Sequence, residues 1–146
     1  MVKLFSHTDL DGIGCGILAK LVFGKDNVEI SYCDYDNIDS TVKEYLETEQ
    51  DDTIPITDIR VNEETAELLN KRGNVQLLDH HPTALGLNKY DWCDVVIEDS
   101  KGIKTSGTML FYHWLGMNGC LSEELENNKA LEKFAELVRD YDTWRW

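Results

Sequence analysis

Five short apolar runs alternate with stretches of helical character, and that alternation leaves few architectures open. VKLFS (2–6), NVEISYC (27–33), DTIPITDI (52–59), NVQLLD (74–79) and CDVVIE (93–98) read as strands, rich in β-branched residues and bounded by Gly, Asn and Asp. Gly12 to Phe23 reads as a helix closed by Gly24, and a second helix is expected over 38–47. A third runs from an Asn62 cap through Lys71 and stops at Gly73. Thr105–Leu115 and Ser122–Tyr141 also read as helices, the last with an apolar stripe of Leu131, Phe134, Ala135 and Val138. Strands separated by helices imply βαβ units. The expected fold is therefore α/β, a mainly parallel, about five-stranded sheet with helices on both faces, Rossmann-like. Pro55 weighs against a central place for the third strand.

In open parallel sheets, ligands sit in the crevice beyond the carboxyl ends of the strands. The residues at those ends are unusual here. The first strand runs into SHTDLDG, with His7, Asp9 and Asp11; the third ends at Asp58; the fourth ends in LLDHHPT, with Asp79, His80 and His81. Each strand end taken alone has an ordinary explanation as a turn or a helix cap. Together they would place several carboxylates in one crevice, where they repel unless cations intervene. A mixed carboxylate and imidazole set without cysteine suits Mn²⁺ better than a structural zinc. The glycines at 12, 14 and 16 have neither dinucleotide-loop spacing nor a Walker lysine, so they read as a tight turn and close helix–sheet packing.

Composition narrows the function further. With 28 acidic against 14 basic side chains and a net charge of −14, the chain lacks the basic face that long duplex nucleic acid requires. No apolar run approaches the roughly 18 residues of a membrane span, and MVKLFSHTDLDG is too polar for a signal peptide, so a cytoplasmic location without membrane contact is expected. Cys15, Cys33, Cys93 and Cys120 are scattered without a CxxC pair and are expected to be reduced and structural.

SHTDLDG, ITDI, LLDHHPT and the late VRDYDTW resemble the four motifs of the DHH phosphoesterase family, in the branch of RecJ-like exonucleases and nanoRNA-degrading oligoribonucleases. The resemblance runs from His7 to about Asp142. It implies one catalytic domain over 1–146, without the second C-terminal domain that many members use to grip the nucleotide; two readings stay open, a stand-alone catalytic domain or a piece that a missing domain or partner completes. It also implies two Mn²⁺ ions, with Mg²⁺ as a possible substitute. His7 and Asp9 would hold the first and Asp11 and His80 the second, with Asp58 bridging them. His81 would contact the scissile phosphate or orient a ligand, and Asp79 would support an imidazole. Alignment of the fourth motif makes Asp140 the last ligand, whereas helical spacing puts Asp142 on the face of Val138. Thr105 and Ser106 are candidate phosphate donors, as are Arg60 and Arg139, and Tyr141, Trp144 and Trp146 could stack a base.

The implied function is hydrolysis of a short oligonucleotide or related small phosphodiester by two-metal activation of water. A pyrophosphatase or nucleotide phosphomonoesterase with the same site is one alternative, and a non-catalytic DHH scaffold is another.

Overall fold

A computed structural model describes residues 1–145; Trp146 of the expected aromatic run lies outside the described residues. The five strands are β1 (Val2–His7), β2 (Val28–Cys33), β3 (Ile54–Thr57), β4 (Val75–Asp79) and β5 (Cys93–Val95), and every pairing between them is parallel. Their order is β2-β1-β3-β4-β5. The helices are α1 (Leu10–Phe23), α2 (Ile38–Leu46), α3 (Glu63–Arg72), α4 (Gly107–Met117), α5 (Glu123–Glu126) and α6 (Lys129–Asp142).

Alternation along each strand feeds two separate cores, because successive side chains point to opposite faces. Phe5, Ile54, Ile56, Val75, Leu77 and Cys93 pack with Ile38 and Val42 of α2 and Ala66 and Leu69 of α3. Leu4, Val28 and Leu78 pack on the other face with Cys15 and Leu18 of α1, Phe111 and Leu115 of α4 and Leu131 of α6. Helices thus cover both faces. Each fully buried Leu or Phe contributes about 1.5–3 kcal/mol. All four cysteines are free thiols, and no helix among the described residues is long and apolar enough to cross a membrane.

Three boundaries differ from the sequence reading. β3 is central despite Pro55, and its ladder with β1 pairs only Phe5 with Ile56 and Ser6 with Thr57, after an isolated bridge between Val2 and Thr53. The interruption falls where Pro55 has no N–H to donate. β5 ends at Val95 rather than at 98, and Glu98 turns back to bridge Lys104. The expected helix over 122–141 is two helices, broken where the Asn128 side chain caps α6 by accepting from the N–H groups of Ala130 and Leu131 at 2.9 and 3.3 Å. A 3-10 segment over Pro82–Lys89, not anticipated from the sequence, carries the chain away from the DHH tripeptide.

Candidate metal centre

The crevice beyond β1, β3 and β4 collects the acidic and imidazole side chains, each held by its own local structure. Asp9 is the N-cap of α1: its Oδ1 accepts the N–H of Gly12 at 2.9 Å, while Oδ2 lies 3.1 Å from His7 Nδ1. Gly12 permits this turn, since a Cβ there would fall 1.9 Å from the carbonyl oxygen of His7. Asp11, fully buried, accepts the N–H groups of Gly107 and Thr108 at 2.7 and 2.8 Å, so the positive end of α4 sits on its carboxylate.

Asp58 leaves β3 with φ of 62°, left-handed backbone that Asp tolerates better than most residues, and its N–H donates to the carbonyl of Leu78 at 2.9 Å. That conformation turns a wholly buried carboxylate into the crevice. Its Oδ1 is 2.9 Å from His80 Nε2 and its Oδ2 is 3.7 Å from His7 Nδ1. His80 Nε2 also lies 3.2 Å from Asp11 and 3.6 Å from Asp142. Asp79 Oδ1 accepts the N–H of His80 at 2.9 Å and faces His81 Nδ1 at 2.7 Å.

Three sets of donors therefore converge, each within 4.8 Å: His7, Asp9 and Asp58; Asp11, His80 and Asp142; and Asp58, Asp79, His80 and His81. Asp142 enters the second set. Asp140, the alignment's choice, does not; its carboxylate is 3.2 Å from the guanidinium of Arg139. The physical reason is helical phase, because Asp142 follows the buried Val138 by four positions and shares its face. Arg139 is thereby occupied by a neighbour rather than presented to the crevice.

Charge dominates this cluster. The facing Asp58 carboxylate, helped by Asp9 and opposed by burial, raises His7 to about 9. Burial disfavours the charged form of His80, yet Asp11 and Asp58 outweigh it and raise the ring to about 10. Burial, with Asp11 and Asp9 adding, lifts Asp58 to about 8 against the pull of both imidazoles. Asp11 falls to about 2, since His80, Asp58 and the Thr108 N–H overcome its burial. The shared protons of this cluster thus sit on His7 and His80 more readily than on free imidazoles, and Asp11 keeps its negative charge.

His7 Nδ1, Asp58 Oδ2 and Asp79 Oδ2 are buried, and among the described residues none makes a well-formed hydrogen bond, His7 Nδ1 having only the ion-pair approaches of Asp9 and Asp58. Buried polar atoms are rarely left so. Converging carboxylate and imidazole donors, no thiolate among them, fit divalent cations.

Beside His80 and His81 opens a cleft of about 370 Å³, lined also by Pro82, Ile97, Lys104, Thr105, Asp142, Thr143 and Trp144. Thr105 reaches this cleft. Ser106 is wholly buried and caps α4, its Oγ accepting the N–H of Met109 at 3.1 Å. The early glycines divide: a Cβ at Gly16 would meet the Tyr32 hydroxyl of β2 at 2.0 Å, the helix–sheet contact expected, whereas one at Gly14 would meet Thr108 Oγ1 of α4 at 2.4 Å, a helix–helix approach instead.

Over its whole length the chain is 47% identical to oligoribonuclease NrnB of Bacillus subtilis (strain 168), spanning 37% of that protein. That likeness supports the resemblance to the DHH phosphoesterase family. A second relative, 3',5'-cyclic-nucleotide phosphodiesterase of Helicobacter pylori (strain ATCC 700392 / 26695), is 26% identical over 95% of the chain and 42% of its own length. The chain thus spans less than half of each relative. A crystal structure of an uncharacterized protein from Helicobacter pylori G27 superposes with a TM-score of 0.80 at 25% identity, covering 99% of this chain and 44% of that one. No protein-family model matches the chain.

Two DHH-side residues escaped the sequence reading. Tyr35, after β2, packs its ring against His7 and His81 with centroids 5.2 and 6.4 Å away. Lys104 lines the cleft because of the Glu98 bridge. Nothing in the spacing of either marks it.

Proposed function

We propose that this chain is the catalytic part of a Mn²⁺-dependent phosphodiesterase that hydrolyses short oligoribonucleotides. The observation that carries the reading is Asp58, whose two oxygens face the two donor sets, His7 with Asp9 on one side and Asp11, His80 and Asp142 on the other. Divalent cations held there would acidify an attacking water and offset charge developing on the phosphate. His7, Asp9, Asp11, Asp58, His80 and Asp142 are assigned to hold them.

The remaining residues orient the substrate. Asp79 accepts from His81 Nδ1, which fixes the tautomer and ring plane and leaves Nε2 to meet a phosphate oxygen in the adjoining cleft. Thr105 and Lys104 stand across that cleft. A phosphodiester is favoured over pyrophosphate because both named relatives are named for phosphodiester substrates.

The experiment is Mn²⁺-dependent release of mononucleotide from a labelled dinucleotide, with pyrophosphate alongside. Wild type is expected to cleave the dinucleotide. Asp58→Ala should lose both turnover and Mn²⁺ binding, whereas His81→Ala should lose turnover and keep the metal. Equal rates in wild type and Asp58→Ala, or preferential release of phosphate from pyrophosphate, would sink the proposal.

A further inference from the structure

Tyr35 stands on the β2 side of the donor cluster, whereas the Lys104 cleft lies on the β5 side, at the opposite sheet edge. Its ring is 48% exposed although it packs against His7 and His81. A large aromatic held half in solvent beside a catalytic crevice needs a reason. Its loop is fixed rather than loose: Asp34 Oδ1 accepts the N–H groups of Asp36 and Asn37 at 2.9 and 3.1 Å, and Asn37 Oδ1 accepts the N–H of Asp34 at 3.0 Å.

Arg60, two residues past Asp58, shares a hollow with Tyr35. The backbone after it is also fastened, since Asp39 Oδ1 accepts the N–H of Asn62 at 2.8 Å. Arg60 is exposed and forms no ion pair with a carboxylate among the described residues. A second hollow of about 220 Å³ opens on its far side, lined by Thr83 and Leu87. In a chain of net charge −14, an unpaired guanidinium at the crevice mouth is a local exception to a surface that repels polyanions.

An exposed, rigidly held phenol ring offers a face on which a base can stack, and a guanidinium fork matches phosphate oxygens. We infer that Tyr35 and Arg60 form a recognition subsite for the nucleotide flanking the cleaved bond, Tyr35 stacking on its base and Arg60 meeting the next phosphate along the strand. The subsite rests on the phosphodiesterase reading and narrows its substrate class. A trinucleotide, which presents a second phosphodiester, is preferred over a dinucleotide, and pyrophosphate gains nothing from it.

The test measures binding of fluorescent di- and trinucleotides to the chain with Ca²⁺ in place of Mn²⁺, beside Mn²⁺-dependent cleavage and a Mn²⁺ titration. Tyr35→Ala should weaken both oligonucleotides about tenfold and leave an abasic dinucleotide analogue unchanged, and Tyr35→Phe should bind like wild type. Arg60→Ala should weaken the trinucleotide about tenfold while changing the dinucleotide less than about twofold. Neither variant should alter Mn²⁺ affinity. Trinucleotide binding equal to wild type in both alanine variants overturns the subsite. So does an equal loss for base-bearing and abasic ligands in Tyr35→Ala, which would mean a distorted site. The two readings fail differently. Base-dependent binding without any cleavage refutes the hydrolase and supports the subsite, whereas cleavage with unaltered binding in Tyr35→Ala refutes the subsite alone.

Discussion

Replacing Gly107 by alanine tests what holds Asp58 in the crevice, although Gly107 has no side chain and reaches the cluster only through its N–H to Asp11. A Cβ on residue 107 would lie 2.6 Å from Asp58 Cβ, 3.1 Å from its Cα and 3.2 Å from its backbone nitrogen. Carbon atoms pack at roughly 3.5–4.0 Å, so the new methyl intrudes by about 1 Å. Asp58 cannot yield by a rotamer change, because the crowded atoms include its backbone and that backbone is already left-handed. Overpacking of this kind costs about 1–3 kcal/mol. Alanine recovers at most about 1 kcal/mol of that through its higher helix propensity. The net expectation is a loss on the order of 1–2 kcal/mol, with weaker Mn²⁺ binding as Asp58 is pushed aside. Gly116, in the last turn of the same helix, is the internal control: its Cβ would meet only Leu121 Cδ1 at 3.6 Å. Gly116→Ala should therefore be stabilising, by up to about 1 kcal/mol. Urea denaturation of the metal-free proteins reads both signs, and calorimetric Mn²⁺ titration reads the site. Should Gly107→Ala match Gly116→Ala in stability and wild type in Mn²⁺ affinity, close approach to α4 does not position Asp58.

Asp142→Asn should reduce Mn²⁺ affinity at least about tenfold, the loss of one charged ligand, while Asp140→Asn stays near wild type; calorimetry giving the reverse order would restore the motif alignment. Mn²⁺ must displace protons from His7 and His80, so binding should release protons and apparent affinity should climb as pH rises; titrations in buffers of different ionisation enthalpy would show identical heats if no proton leaves. Both imidazoles hold protons more tightly folded than unfolded, so their contribution to metal-free stability is complete below about 6.5 and is lost as pH rises through about 9 and about 10. Asp58, raised to about 8, acts in the same direction. Melting temperatures that increase across that range in chelator would contradict the charge balance described.

How much of this was legible beforehand follows from which signals are local. Asp9, Asp11, Asp58 and the DHH tripeptide stand where apolar runs stop, and a parallel sheet sends all strand ends to one crevice, so their meeting could be read from topology. The choice between Asp140 and Asp142 was also within reach, since the stripe through Leu131, Ala135 and Val138 fixes the helix phase; motif alignment pointed the other way. Asn127 and Asn128 signal a helix break, but the stripe that follows them from Leu131 concealed it. Tyr35 and Lys104 were out of reach because their places depend on loop closure, an Asx turn in one case and an antiparallel bridge in the other. The central position of β3 contradicted a sound rule about proline, and the sheet accommodates it by leaving part of one ladder unformed.

The bonds between Asp11 and the amides of Gly107 and Thr108 join residues 96 and 97 positions apart. A ribosome making this chain therefore synthesises every residue of the first three motifs before the partner that fixes Asp11 exists, and Asp142 follows later still. Loop closure over such separations is slow and comes late. Under the proposed metal reading, ion affinity is expected only once α4 and α6 have docked, and titrating nascent chains of increasing length with Mn²⁺ would date their seating against the finished sheet.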